Sequence, residues 1–299
     1  MSLGFDGILK THGYQIIDLI GHGASGECFL VESQKFHQLF VCKVTKSEKC
    51  TPKIIESQRR EAEILSKLQH PNIVNIYDYF IDSCLVFQIL EYCSGGSLID
   101  VIHSKNKIQL RRIIKIVSEI IDALSYLHQN GIAHCDIKLS NILIDQFGRI
   151  KLCDFGLSHY ISVSKTLKSN KFVRGTLNYM CPEIFLGFDY DPFMADVWAV
   201  GVTIYCLASG RYPFGGTSSN ILLAEINRGY SQIEPKYGPL VEIVNSCLQI
   251  EPKARPTMFQ LKMKISESMK PFQDTIPNSA SRVLRKIAKN HLIPGIKRL

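Results

Sequence analysis

The chain has 299 residues, enough for one large domain or two small ones, with 45% hydrophobic and 21% charged residues, as in an ordinary globular protein. The formal charge of +8 is uneven: from Lys270 onward seven basic residues face one acid, Asp274, which leaves +2 for residues 1–269 and gives no sign of a nucleic-acid surface. The most apolar stretch, Val197 to Ala208, is shorter than the roughly 20 residues a bilayer needs. The segment Met1 to Asp6 lacks a basic and an apolar region, and Ser2 stands where myristoylation needs glycine, so the expectation is a soluble chain without signal peptide or lipid, cytoplasmic or nuclear. None of the ten cysteines forms a Cys-x-x-Cys pair, and most lie in apolar segments, which predicts buried, reduced thiols.

Taken in chain order, residues 14–47 read as strands: Gln15 to Ile20, a glycine cluster, Cys28 to Val31, then Leu39 to Val44. From about Pro52 to Leu68 the apolar period becomes helical, and His70-Pro71-Asn72 stops it. Ile73 to Tyr92 reads as two further strands. Beyond Ser94-Gly95-Gly96-Ser97 the character changes, with long buried helices over Ile113 to His128 and Ala195 to Ser209 and another over Gln260 to Met269. A β-rich part followed by a helix-rich part is an α+β fold with a lobe boundary near 92–96.

Three constellations carry chemistry. Gly21-His22-Gly23-Ala24-Ser25-Gly26-Glu27-Cys28 is a glycine loop whose backbone can lie close to phosphate oxygens. A strand, not a helix, follows it, which favours a strand–loop–strand flap over a dinucleotide turn. Lys43 ends an apolar strand; its partner on the next helix is Glu61, with Glu63 the rival. The third is decisive: His134-Cys135-Asp136-Ile137-Lys138-Leu139-Ser140-Asn141 between apolar segments, then Asp154-Phe155-Gly156. Phosphoryl transfer needs a carboxylate to orient and deprotonate a hydroxyl, oxygen ligands for Mg²⁺, and cations against phosphate charge. Asp136, then Asn141 with Asp154, and Lys138 supply these in turn.

With those residues in view, the chain resembles the eukaryotic protein kinase superfamily over residues 14–268. The resemblance implies a two-lobed fold: an N-terminal extension 1–13, a β-rich lobe 14–92, a helical lobe 96–268 and a basic tail 269–299. Lys43 matches the strand lysine that holds the α/β-phosphates, Glu61 its helix partner, Asp136 the catalytic aspartate, and Asn141 and Asp154 the metal ligands. ATP and Mg²⁺, with Mn²⁺ a possible substitute, are the implied cofactors. Gly175-Thr176-Leu177-Asn178-Tyr179-Met180-Cys181-Pro182-Glu183 resembles the end of an activation segment, with Glu183 expected to pair with Arg255. Asp196 resembles the helical aspartate that braces the catalytic loop. Lys138 and Thr176, whose hydroxyl would bridge Asp136 and Lys138, imply transfer to serine or threonine of protein substrates. Asp154 to Ser158, Gly201 to Tyr205 and Ser209 to Phe214 look most like the calcium/calmodulin-dependent and AMP-activated kinase group.

The adenine site follows from the same likeness. Ile20 to Cys28 and Val41 would roof the base, Leu143 floor it, Leu90 act as gatekeeper, and Glu91 and Cys93 offer hinge backbone. Ile76, Leu65, Phe155 and His134 match the regulatory spine. Three departures stand out. Cys135 replaces the arginine that anchors an activation-segment phosphate, so activity is expected not to depend strictly on phosphorylation at Ser158, Ser162, Ser164, Thr166 or Ser169, unless Lys165, Lys168, Lys171 and Arg174 supply the charge. Val41 and Cys28 exchange the usual small and larger residues over the base, with volumes that offset. Residues 281–293 hold a basic amphipathic pattern suited to a calmodulin-like or acidic partner, with a solvated or self-docked tail as the plainer reading. A scaffold that binds without transferring phosphate, or a binding module acting through the tail, is the rival class.

Overall fold

The computed structural model describes residues 4–23, 26–46, 52–82, 85–104, 108–161, 166–167 and 176–273. Ala24 and Ser25 of the glycine loop, Ser162, Ser164, Lys165, Lys168, Ser169, Lys171 and Arg174, and the basic pattern at 281–293 therefore lie outside the described residues.

The chain opens with a helix that the sequence pattern does not announce, α1 (Asp6–Thr11), followed by β1 (Tyr14–Gly23), β2 (Gly26–Ser33), β3 (Gln38–Lys46), α2 (Pro52–Lys67), β4 (Ile76–Asp82) and β5 (Leu85–Glu91). The five strands form an antiparallel sheet in the order β1-β2-β3-β5-β4. Alternation along β2 turns Phe29 and Val31 inward, as expected of a strand with one buried face. That face joins Phe40, Cys42, Val44, Phe87 and Ile89 in a small core, and α1 closes it with Phe5 and Leu9. The Phe5 ring meets Phe29 edge-on at 5.3 Å and Phe87 at 6.0 Å. His12 stacks on Phe80 at 3.7 Å. Residues placed by the sequence pattern in an extension are thus part of the upper-lobe core.

The remainder is helical: α3 (Leu98–His103), α4 (Leu110–Gln129), α5 (Pro182–Phe185), α6 (Pro192–Ser209), α7 (Ser219–Arg228), α8 (Pro239–Cys247) and α9 (Met258–Gln273). Short hairpins interrupt it, β7 (Ile142–Ile144) with β8 (Ile150–Leu152), and β6 (Ile132–Ala133) with β9 (His159–Tyr160). α4 buries one stripe, Ile113, Val117, Ile120, Ile121 and Leu124, at helical spacing. α6 is apolar all round and buried on nearly every side. Asp191 caps its start by accepting from the Phe193 N–H at 2.9 Å, Pro192 fits its first turn, and Gly210 ends it at φ +71°. At 18 residues α6 is longer than the run Val197 to Ala208 and passes by length and composition alone as a candidate span, but it is the central core helix, with 83% of it buried. Around it gather α8, Trp198 against Phe214, and Tyr205 against Tyr230.

The eight described cysteines are all free, and Cys42, Cys93, Cys181, Cys206 and Cys247 are buried. Burial pushes Cys42, Cys206 and Cys247 up to about 12, so they pack as neutral thiols.

Because Leu9 is fully buried beneath the sheet, Leu9→Ala should cost about 3 kcal/mol in urea unfolding, the range of a core truncation. An unchanged midpoint would show that α1 is not part of the lobe.

Candidate active site

β3 carries Lys43 to the cleft between the lobes. Its register sets Lys43 opposite Cys28 on β2 and Gln88 on β5, and Val41 opposite Leu90. The hairpin from β1 to β2 overhangs it, pairing Gly21 with Cys28, His22 with Glu27 and Gly23 with Gly26. Gly26 sits at φ +132°, and a Cβ there would clash with the Val44 carbonyl, so only glycine fits. Ile20 stands exposed at the loop's entrance.

From α2, Glu61 reaches Lys43 at 3.0 Å, while Glu63 is taken by Arg59 at 3.0 Å; the rival partner is thereby excluded. Lys43 also contacts Asp154 at 3.1 Å. Burial alone would lower the Lys43 ammonium, but the Glu61 and Asp154 carboxylates outweigh it and raise it above its ordinary value. Burial would likewise raise Asp154, yet Lys43 holds its carboxyl below the usual range. The spine residues meet as well: Leu65 and Phe155 share one core with Ile76 against it, and the His134 ring lies 4.8 Å from Phe155.

The catalytic-loop residues hang from one carboxylate. Asp196 of α6 is 1% exposed and accepts the backbone N–H of His134 and of Cys135, each at 2.8 Å, with the His128 imidazole at 3.0 Å. Cys135 is held at φ +64° and Asp154 at φ +61°, left-handed conformations that cost a non-glycine residue about 1–2 kcal/mol. The Asp196 bonds on both sides of the turn offset the first of these. Asp136 then faces the cleft, its Oδ2 receiving Lys138 at 2.8 Å and the Asn141 amide at 2.9 Å. Asn141 donates also to the Asp136 carbonyl at 2.9 Å.

The expected bridge through Thr176 is not formed. Lys138 reaches Asp136 directly, and the Thr176 hydroxyl makes no hydrogen bond among the described residues. Ser158 is likewise no open acceptor: it is buried and donates to the His134 carbonyl at 3.1 Å. Burial, followed by Asp196 and Asp136, pushes the Cys135 thiol up, so it stands as a neutral group where an anchoring cation was to be expected.

Asp154 keeps Oδ2 and Asn141 keeps Oδ1 without a partner among the described residues. Among these residues no cluster of three or more His, Cys, Asp or Glu is suited to hold a metal on its own. Hard oxygen donors in this number fit Mg²⁺ brought with a nucleotide, since that ion takes one or two protein oxygens and completes its shell with phosphate and water.

Leu143 on β7 lies opposite Lys151 on β8, below the base position, and Cys93 is buried just past β5. The Glu91 N–H already donates to the Asn75 carbonyl at 2.9 Å, so any hinge contact from Glu91 falls to its carbonyl. Glu183 and Arg255 form two bonds, 2.6 and 2.9 Å, with Arg255 over the Trp198 ring at 5.0 Å. Sequence reasoning missed Asn75, His128 and Lys151, for none stands in a pattern that sets it apart from a solvent-facing residue.

This arrangement defines a two-lobed cleft with a paired lysine above and a carboxylate loop below. The protein kinase domain model matches residues 14–265, and the chain belongs to that family. It is 32% identical to human NUAK family SNF1-like kinase 2 over 247 residues, 83% of this chain and 39% of that protein. Serine/threonine-protein kinase RUNKEL of Arabidopsis thaliana is 38% identical over 203 residues, 67% of this chain and 14% of that protein. Mouse Aurora kinase C is 32% identical over 249 residues, 81% of this chain and 87% of that protein. The chain thus spans well under half of the first two, and most of the third. The SNF1-like relative is in keeping with the resemblance to the AMP-activated group.

Since Asp154 is held low in the folded state, its contribution is present above the ordinary carboxylate value near pH 4 and lost as pH falls through the lower folded value. Stability should therefore rise with pH through this window. Lys43→Met leaves Asp154 buried without its cation, so its folded value rises and its share of the slope reverses; urea midpoints between pH 3 and 6 measure this, and an unchanged slope refutes the coupling.

Proposed function

We propose that the chain is an ATP-dependent serine/threonine protein kinase. The observation that carries this reading is the simultaneous formation of the Lys43–Glu61 and Lys43–Asp154 pairs above an Asp136 oriented by Lys138 and Asn141. Lys43 would draw in the α/β-phosphates, and the glycine loop would cover them with backbone N–H groups. Asp154 and Asn141 would hold Mg²⁺, which when bound offsets phosphate charge. Asp136 would orient the acceptor hydroxyl and accept its proton as the oxygen attacks the γ-phosphorus. Lys138, already on Asp136, would sit beside the transferring group. Protein substrates with serine or threonine are supported by the relatives' printed names and by Lys138. Cys28, Val41, Leu90 and Leu143 would enclose the adenine, with the Glu91 carbonyl and Cys93 N–H at its edge.

Asp136→Ala should lower turnover on a peptide library by about a hundred- to ten-thousandfold, the share of a general base, while ATP binding persists. Asp154→Asn should instead weaken Mg-ATP binding. Equal activity of wild type and Asp136→Ala would favour a binding scaffold.

The neutral Cys135 supports a second element of the reading: turnover that does not rest on a phosphate anchored in the activation segment. The backbone bridge between Leu167 and Tyr190, with bonds of 2.8 and 3.0 Å, ties part of that segment down through backbone groups. Joint replacement of Ser162, Ser164, Thr166 and Ser169 by alanine should leave most activity, and a collapse of turnover in the phosphate-transfer assay counts against this independence.

A further inference from the structure

Under the hinge lies a buried ion pair that the phosphoryl-transfer machinery does not use. Lys151, on β8 of the lower lobe, is 3% exposed. Its ammonium lies 2.8 Å from both carboxylate oxygens of Glu91, the last residue of β5 in the upper lobe. The same carboxylate receives the Asn75 side-chain amide at 3.0 Å and the Asn75 N–H at 3.2 Å. The Asn75 carbonyl in return accepts the Glu91 N–H. A lysine buried in this way is costly unless its partner is fixed, and here the partner is fixed from two sides.

We infer that the Lys151–Glu91 pair is a latch across the lobes that orients the hinge for base selection, which makes Lys151 a positioning residue; the inference rests on the kinase reading above. These contacts engage both the carboxylate and the N–H of Glu91, and its carbonyl is the group assigned to meet the base. Adenine offers an exocyclic amine, a donor, to such an acceptor. Guanine offers a carbonyl at the equivalent atom, so two acceptors face each other and one stays unpaired. A rigid carbonyl turns that difference into selectivity; a loose one rotates away from it. Lys151 also stands opposite Leu143 on the floor, so one side chain ties the base's edge to its lower face.

The test compares wild type with Lys151→Met, Lys151→Arg and Glu91→Gln. Each is assayed for ATP and GTP binding by calorimetry, for KM and kcat on peptide, and for melting temperature. Lys151→Met should raise KM and Kd for ATP about tenfold with kcat at saturation within about twofold, a loss of binding rather than of chemistry. Its preference for ATP over GTP should fall by about fivefold or more. Glu91→Gln, which keeps the Asn75 contacts, should shift the same quantities less, and Lys151→Arg, which keeps the cation on Glu91, should retain most of the preference. Lower melting temperatures with KM and the ATP/GTP ratio unmoved would overturn the latch and leave the pair purely structural. Should Lys151→Met fail to fold, Glu91→Gln and Lys151→Arg decide by the same ratio. A wild type that neither binds ATP nor transfers phosphate would remove the kinase reading and the latch with it.

Discussion

The buried carboxylate of Asp196 is the constraint on which the lower half of the site depends. A charge at 1% exposure is tolerable only where its lone pairs are filled, and two backbone N–H groups and an imidazole fill them. Those groups belong to the turn that must hold Cys135 in a left-handed conformation so that Asp136 turns toward the cleft. The carboxylate thus converts the rigidity of α6, packed on nearly all sides, into the aim of a side chain on a loop. Without a stiff α6 the same bonds would fix nothing, and without the bonds α6 would be an apolar rod with an unpaired charge.

The upper half is organised on the opposite principle. There the fixed element is a sheet, and the charge to be placed is a cation. Lys43 is held by strand register on its backbone and by two carboxylates at its tip, one from each lobe. The halves therefore communicate through ion pairs that cross the cleft, at Asp154 in its depth and at Lys151 behind the hinge. Both crossings are largely shielded from water, where pair energies exceed those of exposed bridges.

Much of this was legible in the sequence, for a physical reason. Strand–turn–strand periods and the long apolar helices announce themselves by pattern, and so β1 to β5, α2, α4, α6 and α9 fall where the periods place them. Asp136, Asn141 and Asp154 stand out in the sequence because phosphoryl-transfer chemistry asks for these residue types in this order, and the structure gathers Asp136 with Asn141 and Asp154 with Lys43. The Glu61 assignment was sharpened by geometry: Glu61 and Glu63 are equivalent by composition, and only the helix phase sends one inward and the other to Arg59. What was not legible is what depends on distant partners. α1 is too short to show a period, and its role comes from rings supplied by β2 and β5. Among the described residues the Thr176 bridge is not formed, and Lys138 and the Asn141 amide reach Asp136 directly. The buried Lys151 looks on paper like any surface lysine in a short strand.

The Glu183–Arg255 pair has a topological consequence. It nails the far end of the activation segment to the base of the lower lobe, while Asp154 nails the near end to Lys43. Between these pins the chain is a closed loop, and the entropy of closing a loop grows only with the logarithm of its length, about 0.6 kcal/mol for each doubling. Lengthening the chain between the two pins therefore adds little to the cost of closing it so long as both pins hold.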